Sequence, residues 1–154
     1  MKYSLVLFFF VCFCTYSQKQ NKTTIVKYID KEITLDGILD EPSWSEVIPA
    51  TNFFQYFPTD TAQAKRQAQI KFMFDEENLY VGIRVAAKGK NFVIPSLRRD
   101  FRAGGSDNIT LLFDTFDDGT NAFVFGSNPY GVQREFLLSG GGNEVRNFNG
   151  AWDT

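Results

Sequence analysis

The stretch IKFMFDEENLYVGIRV, residues 70–85, carries the strongest structural signal in the sequence. On both sides of a polar segment at residues 75–78, apolar side chains recur at every second position. Side chains of a β-strand point alternately to its two faces, so a period of two predicts strands rather than a helix. Two such runs joined by four polar residues predict an antiparallel β-hairpin.

The same alternation recurs along the rest of the chain. Further strands are predicted at residues 33–35, 109–113, 123–126 and 132–138. Turns are predicted at Asp36-Gly37, Asp118-Gly119 and residues 128–131, and a flexible loop at residues 140–142. Many short strands separated by turns are typical of all-β proteins. The sequence therefore predicts an antiparallel, jelly-roll-like β-sandwich.

One short helix near the N-terminus is predicted to interrupt this pattern. Asp40 is a candidate N-cap, Pro42 suits the first helical turn, and Pro49 prevents continuation. Trp44 and Val47 are three residues apart, so one helix face can bury both side chains. We expect Trp44 to lie in the core, because tryptophan buries a large apolar area.

Composition excludes several classes of function. The 154 residues include no histidine, which removes imidazole as a base, a ligand or a switch. The 16 Lys+Arg and 18 Asp+Glu residues give a net charge of −2 and form no basic stripe, so no nucleic-acid partner is expected. The length suits one domain.

The N-terminus resembles a secretory signal peptide. Residues 1–17 contain Lys2, an apolar run too short to span a bilayer, and small residues before Gln18. Both cysteines, Cys12 and Cys14, lie in this segment, so the mature chain would have no disulfide. An uncleaved membrane anchor is the alternative. We expect export to the periplasm, the outer-membrane surface or the extracellular space.

Five segments in order resemble carbohydrate-binding module family 9. They are ITLDGILDEPSW (33–44), IKFMFDEENLYVGIRV (70–85), RRD (98–100), DNITLLFDTFDD (107–118) and FVFGSNPYGVQRE (123–135). The similar modules stand at the N-terminus of large secreted or outer-membrane bacterial proteins. The resemblance implies a leader and first strand region at residues 18–32 and a β-sandwich at residues 33–154. The abrupt end at Trp152-Asp153-Thr154 suggests that this sandwich is incomplete.

The resemblance implies a non-catalytic module that directs an attached carbohydrate-active or surface protein to a glycan. The family's tryptophan clamp and nearby polar residues match poorly, because Gly104-Gly105, Thr110 and Gly126 stand at those points, although Asn128 matches a family asparagine. These departures support the alternative of a structural or interaction domain without sugar affinity. Downstream domains are the second expected partner, and a glycoside-hydrolase activity would belong to them.

Sugar binding combines an aromatic plane with polar side chains that meet the hydroxyls. The candidate ligand-binding residues are Trp152, Tyr130, Asn128, Arg99 and Gln133. Tyr56 and Phe57, next to Pro58, are weaker candidates. Arg98-Arg99-Asp100 is equally interpretable as a structural ion-pair segment, since Arg–Asp pairs commonly orient loops.

No cofactor is required by the sequence, but some family members carry structural calcium. Asp114, Asp117 and Asp118 supply oxygen ligands near one turn and are the candidate metal site. The alternative, which the spacing favours, is that Asp118-Gly119 simply forms the turn.

No catalytic residues are proposed for the domain itself. A serine nucleophile would need a lysine base, and no S-x-x-K motif is present. Two carboxylates suffice for a glycosidase, but the sequence does not single out a pair among 18 acids.

Overall fold

A computed structural model describes residues 22–87, 89 and 91–154. Within these residues the protein is all-β, with two sheets and one short helix, as the alternation predicts. The elements are β1 (Lys27–Tyr28), α1 (Pro42–Ser45), β2 (Ala68–Phe74), β3 (Leu79–Val85), β4 (Ile109–Phe113), β5 (Ala122–Ser127), β6 (Gln133–Ser139) and β7 (Asn143–Val145). The predicted signal peptide, residues 1–17, lies outside the described residues.

The predicted hairpin is confirmed as β2 and β3, which pair from Ala68–Val85 to Phe74–Leu79. Asp75 organises its loop: Oδ1 accepts hydrogen bonds from the Glu77 and Asn78 backbone N–H groups at 2.8 and 2.6 Å. The Tyr80 hydroxyl donates to Oδ2 at 2.7 Å. These bonds, led by that from Glu77, lower the pKa of Asp75. On the other side of β2, β1 adds a parallel pairing, which the sequence did not predict.

The core of this first sheet forms where α1 packs on it. Trp44 and Val47 are buried together, as predicted, with Met73 fully enclosed beside them. Gly82 on β3 faces the indole of Trp44, and a Cβ atom there would lie 2.7 Å from Trp44 Cζ3. The helix packs this closely because position 82 carries no side chain.

Two local predictions in this region are wrong. The helix N-cap is Glu41 rather than Asp40, although the helix is short as predicted and ends at Ser45. Residues 33–35 form no strand, because their hydrogen bonds go elsewhere: Thr34 N–H donates to the Glu41 carboxylate at 2.9 Å. Asp36 then turns the chain by accepting the Ile38 N–H at 2.8 Å.

The second sheet is a meander in the order β4-β5-β6-β7. Residues 140–142, predicted as a flexible loop, form the turn into β7, and Gly141 N–H donates to Thr120 O at 2.9 Å. Paired residues share a face, so Phe125 and Glu135 lie on one side of the sheet. We call it the Glu135 face. Arg134 lies on the opposite side, the Arg134 face.

Candidate functional site

A buried carboxylate organises the Glu135 face. Only 2 % of Glu135 is exposed, yet both of its oxygens are engaged. Oε2 accepts hydrogen bonds from Gly150 N–H at 2.9 Å and from Trp152 Nε1 at 2.8 Å, while Oε1 pairs with Arg99. We call Glu135, Arg99, Gln133, Gly150 and Trp152 the Glu135 cluster.

The cluster keeps Glu135 ionised despite its burial. Removal from water alone would raise the pKa of the carboxyl group. The hydrogen bonds from Gly150, Arg99 and Trp152 outweigh burial, and the net effect is a lowered pKa. A charge this well partnered is a fixed structural element rather than a proton donor at neutral pH.

Three of the five predicted ligand-binding residues meet in this cluster. Arg99 donates to the Gln133 side-chain oxygen, and Gln133 Nε2 donates to Trp152 O at 3.4 Å. The Trp152 ring packs edge-on against Phe125, with 5.3 Å between centroids. Arg99 also reaches Asn149 Oδ1 at 3.3 Å and keeps about half of its side chain exposed.

The two remaining predicted residues have separate roles in the turn between β5 and β6. Asn128 is buried, and its Oδ1 accepts N–H bonds from Tyr130 and Val132 at 2.9 and 3.1 Å. It therefore shapes the turn. Tyr130 is largely exposed on that turn. Thr154 Oγ1 donates to Gly131 O at 3.3 Å, so the segment after Trp152 runs alongside it.

Residues 99 and 100 lie against β6, where Arg99 pairs with Glu135 and Asp100 makes hydrogen bonds to the backbone rather than an ion pair. Asp100 N–H donates to Gln133 O at 3.0 Å, and Asp100 Oδ1 accepts the Glu135 N–H at 3.0 Å. β7 pairs with residues 137–139 of β6, so residues 99 and 100 occupy the part of the β6 edge that β7 leaves open. This placement brings the Arg99 side chain to the Glu135 face.

Sequence reasoning missed Glu135, the residue that joins the others. One signal could have identified it. In the alternating pattern of β6 and β5, Glu135 falls on the same face as Phe123 and Phe125, where an apolar residue is expected. A charged residue at such a position needs partners supplied by other segments.

Two of the three predicted metal residues, Asp114 and Asp118, use their carboxylates within the loop. Asp114 accepts the Asp118 and Gly119 N–H groups at 3.3 and 2.8 Å. Asp118 accepts from Asn121 Nδ2 at 2.6 Å and from Thr120, which lowers the pKa of Asp118. Asp117 stands in the left-handed region at φ 52°. Among the described residues no three acidic, histidine or cysteine side chains are grouped as metal ligands.

The weaker aromatic candidates lie apart from the Glu135 cluster. Tyr56 and Phe57 follow the isolated pairing of Phe54 with Gln63 and are 95 % and 84 % exposed. No polar side chain is hydrogen-bonded to Tyr56 in the described chain.

Comparisons of the chain with protein-family models, curated proteins and solved structures found no match. Within the residues that the structure describes, no helix has the length and apolar character needed to cross a membrane.

Proposed function

We propose that this chain is a non-catalytic carbohydrate-binding β-sandwich module. The observation that carries the proposal is the Glu135 cluster, which fixes Trp152 beside the guanidinium of Arg99 and the amide of Gln133. Carbohydrate sites combine an aromatic surface for the apolar face of the ring with polar groups for the hydroxyls. The resemblance to carbohydrate-binding module family 9 supports the same function.

In this proposal each residue of the site has a distinct role. Trp152 contributes ring surface, held in place by the Nε1–H bond to Glu135. Arg99 and Asn149 offer exposed donors and acceptors to sugar hydroxyls, and Tyr130 extends the aromatic surface from the neighbouring turn. Glu135 positions the others without contacting the glycan. The module would be exported and would deliver attached downstream domains to their glycan, with no cofactor required.

A second candidate function rests on the same cluster. The Glu135 oxygens, the Trp152 Nε1–H and the Gly150 N–H are satisfied by one another. Because these groups already satisfy one another's hydrogen bonds, they can also hold the segment at residues 149–154 against β6. On this alternative the chain is a structural or interaction domain, and Trp152 contributes to stability alone.

A glycan array followed by titration separates the two functions. We expect binding in the micromolar to millimolar range, roughly −4 to −8 kcal/mol, as a few stacking and hydroxyl contacts provide. Trp152→Ala should weaken binding about tenfold or more, and added EDTA should leave it unchanged. Tyr56→Ala, which removes an exposed aromatic ring elsewhere, is the matched control and should bind like the wild type.

Folding of each variant is checked by circular dichroism, since Trp152→Ala also removes a hydrogen bond to Glu135. Absence of binding to plant, algal and bacterial glycans would contradict the proposal and favour the structural domain. Release of reducing sugar by the chain would contradict both functions.

A further inference from the structure

The Arg134 face holds a cavity of about 660 Å³ that opens broadly to solvent. This volume lies within the range of small-molecule sites. Its charged wall consists of Arg102, Arg134 and Arg146 together with Asp100 and Glu144. Gly104 forms part of the lining and leaves open space where a side chain would stand.

Arg134 lies at the centre of this wall and lacks a full set of partners. It is 7 % exposed and stacks on Phe136, with 4.5 Å between Cζ and the ring centroid. Its Nε is buried and makes no hydrogen bond within the described part of the chain. The nearest carboxylate, Glu144, is 3.6 Å from Nη2, too far for a hydrogen bond. Burial lowers the pKa of this guanidinium, as expected for a cation that is short of partners.

The two carboxylates of the wall serve other groups besides Arg134, although Glu144 Oε1 lies 3.6 Å from Arg134 Nη2. Glu144 pairs with Arg146, and Asp100 Oδ1 accepts the backbone N–H of Glu135. Three guanidinium groups therefore face two carboxylates, which leaves one net positive charge around the cavity. A buried guanidinium in this condition is stabilised by an anion that brings its own acceptors.

We propose that this cavity binds the carboxylate of a small sugar acid, with Arg134 as its main partner. The flat fork of a guanidinium matches a carboxylate with two parallel hydrogen bonds. The single net charge suits a monoanion better than a phosphate dianion, and the volume admits a sugar ring. Arg134 and Glu135 are consecutive on β6 and point to opposite faces, so this site is separate from the Glu135 cluster and does not depend on glycan binding there.

Isothermal titration of the full chain at low salt tests this site, with glucuronate as the probe. Glucose is the neutral counterpart, and inorganic phosphate tests the preference for a carboxylate. We expect glucuronate to bind, and glucose and phosphate to bind at least about tenfold more weakly, the scale of one charge-assisted hydrogen bond. Trp152→Ala should leave glucuronate binding unchanged, which distinguishes this site from the proposed glycan surface.

Two variants address the cavity from different sides. Arg134→Lys keeps the charge but loses the fork, and should weaken glucuronate binding roughly tenfold. Gly104→Leu fills the cavity without altering Arg134 and should abolish binding, whereas Gly142→Leu, at another open glycine outside the lining, should have no effect.

If Arg134→Lys fails to fold, the comparison of Gly104→Leu with Gly142→Leu tests the site instead. The proposal is overturned if glucuronate does not bind at about 10 mM, a free energy near −3 kcal/mol. It is also overturned if glucose or phosphate binds the Trp152→Ala chain as well as glucuronate does, or if Gly104→Leu binds glucuronate like the wild type.

Discussion

The two halves of the described chain, residues 22–87 and residues 91–154, differ in the charged side chains that they bury. The first half encloses Trp44, Met73 and other apolar residues, and its ion pair, Lys27–Glu46, is exposed. The second half also buries apolar residues, but in addition it encloses Arg134 and Glu135 on opposite faces of one strand. The ion pairs of the described residues each stay within one half.

This difference shows how stability and chemistry are distributed. Apolar burial stabilises without requiring a particular partner. A buried charge is tolerated only with specific donors and acceptors around it, and removing one partner is costly. Both candidate sites lie in the second half, where buried charged groups are held in defined positions.

The largest expected effect is a loss of stability caused by a substitution in the core of the first half. Trp44→Ala should lower the free energy of unfolding by about 3–5 kcal/mol, because the cavity left in the core does not collapse completely. Urea denaturation followed by circular dichroism measures it. Ile48→Ala removes an exposed side chain nearby and should change stability by no more than about 0.5 kcal/mol. Equal effects of the two variants would refute the placement of Trp44 in the core.

The next largest effect is a loss of stability caused by a substitution in the Glu135 cluster of the second half. Glu135→Gln should lower the free energy of unfolding by about 2–3 kcal/mol, since an amide leaves Arg99 without its counter-charge and turns N–H groups toward other donors. The matched control is Glu46→Gln in the first half, whose exposed pairing with Lys27 contributes little. Urea denaturation of both variants at neutral pH gives the comparison.

Stability measurements at acidic pH test the same hydrogen bonds in a second way. The pKa of Glu135 is lowered from 4.5 in the folded chain, so its contribution is fully present above about pH 4.5 and is lost as the pH falls through the folded-state pKa. The stability difference between wild type and Glu135→Gln should shrink on acidification below pH 4.5. A difference that stays constant or grows would contradict the assigned hydrogen bonds.

The smallest expected effect compares glycines from the two halves. Gly82→Ala should destabilise by about 1–2 kcal/mol, because the new Cβ would lie 2.7 Å from Trp44 Cζ3 and 2.9 Å from Cη2. Gly104→Ala, with nothing within 4 Å of the new atom, should change stability by less than about 1 kcal/mol. Thermal unfolding measures the stability of both variants. A larger loss of stability for Gly104→Ala than for Gly82→Ala would contradict the packing of α1 on β3.

The strands were predictable because side-chain alternation is a local property of the sequence. The β2–β3 hairpin, β4, β5 and β6 follow from it, whereas the burial of Trp44 follows from the helical spacing of Trp44 and Val47. The failures occur where the choice of a hydrogen-bond partner decides the structure. Thr34 donates to Glu41 rather than to a neighbouring strand, and β7 forms because β6 presents an edge to it.

The candidate sites were only partly predictable for the same reason. Arg99, Gln133 and Trp152 were chosen for their chemistry, and their meeting depends on contacts 19 and 34 residues apart in sequence. Glu135, which joins them, and the cavity beside Arg134 could not be found without the pairing of β5 with β6. Asn128 was chosen as a ligand but shapes a turn, because its side-chain oxygen lies closest to its own backbone neighbours.

Because Arg134 and Glu135 are consecutive, an insertion or deletion in β6 would disturb both faces of the sheet at once. A substitution at either position disturbs one face. A one-residue insertion before Arg134 that shifts the pairing of β6 with β5 would send each side chain to the opposite face. The carboxylate would then lose its partners on the Glu135 face and the guanidinium of Arg134 would come to the face of Arg99, so a repulsive contact would replace the attractive pairing of Glu135 with Arg99. We therefore expect natural variants of this chain to differ in length at the β5–β6 and β6–β7 turns and to keep the length of β6 fixed.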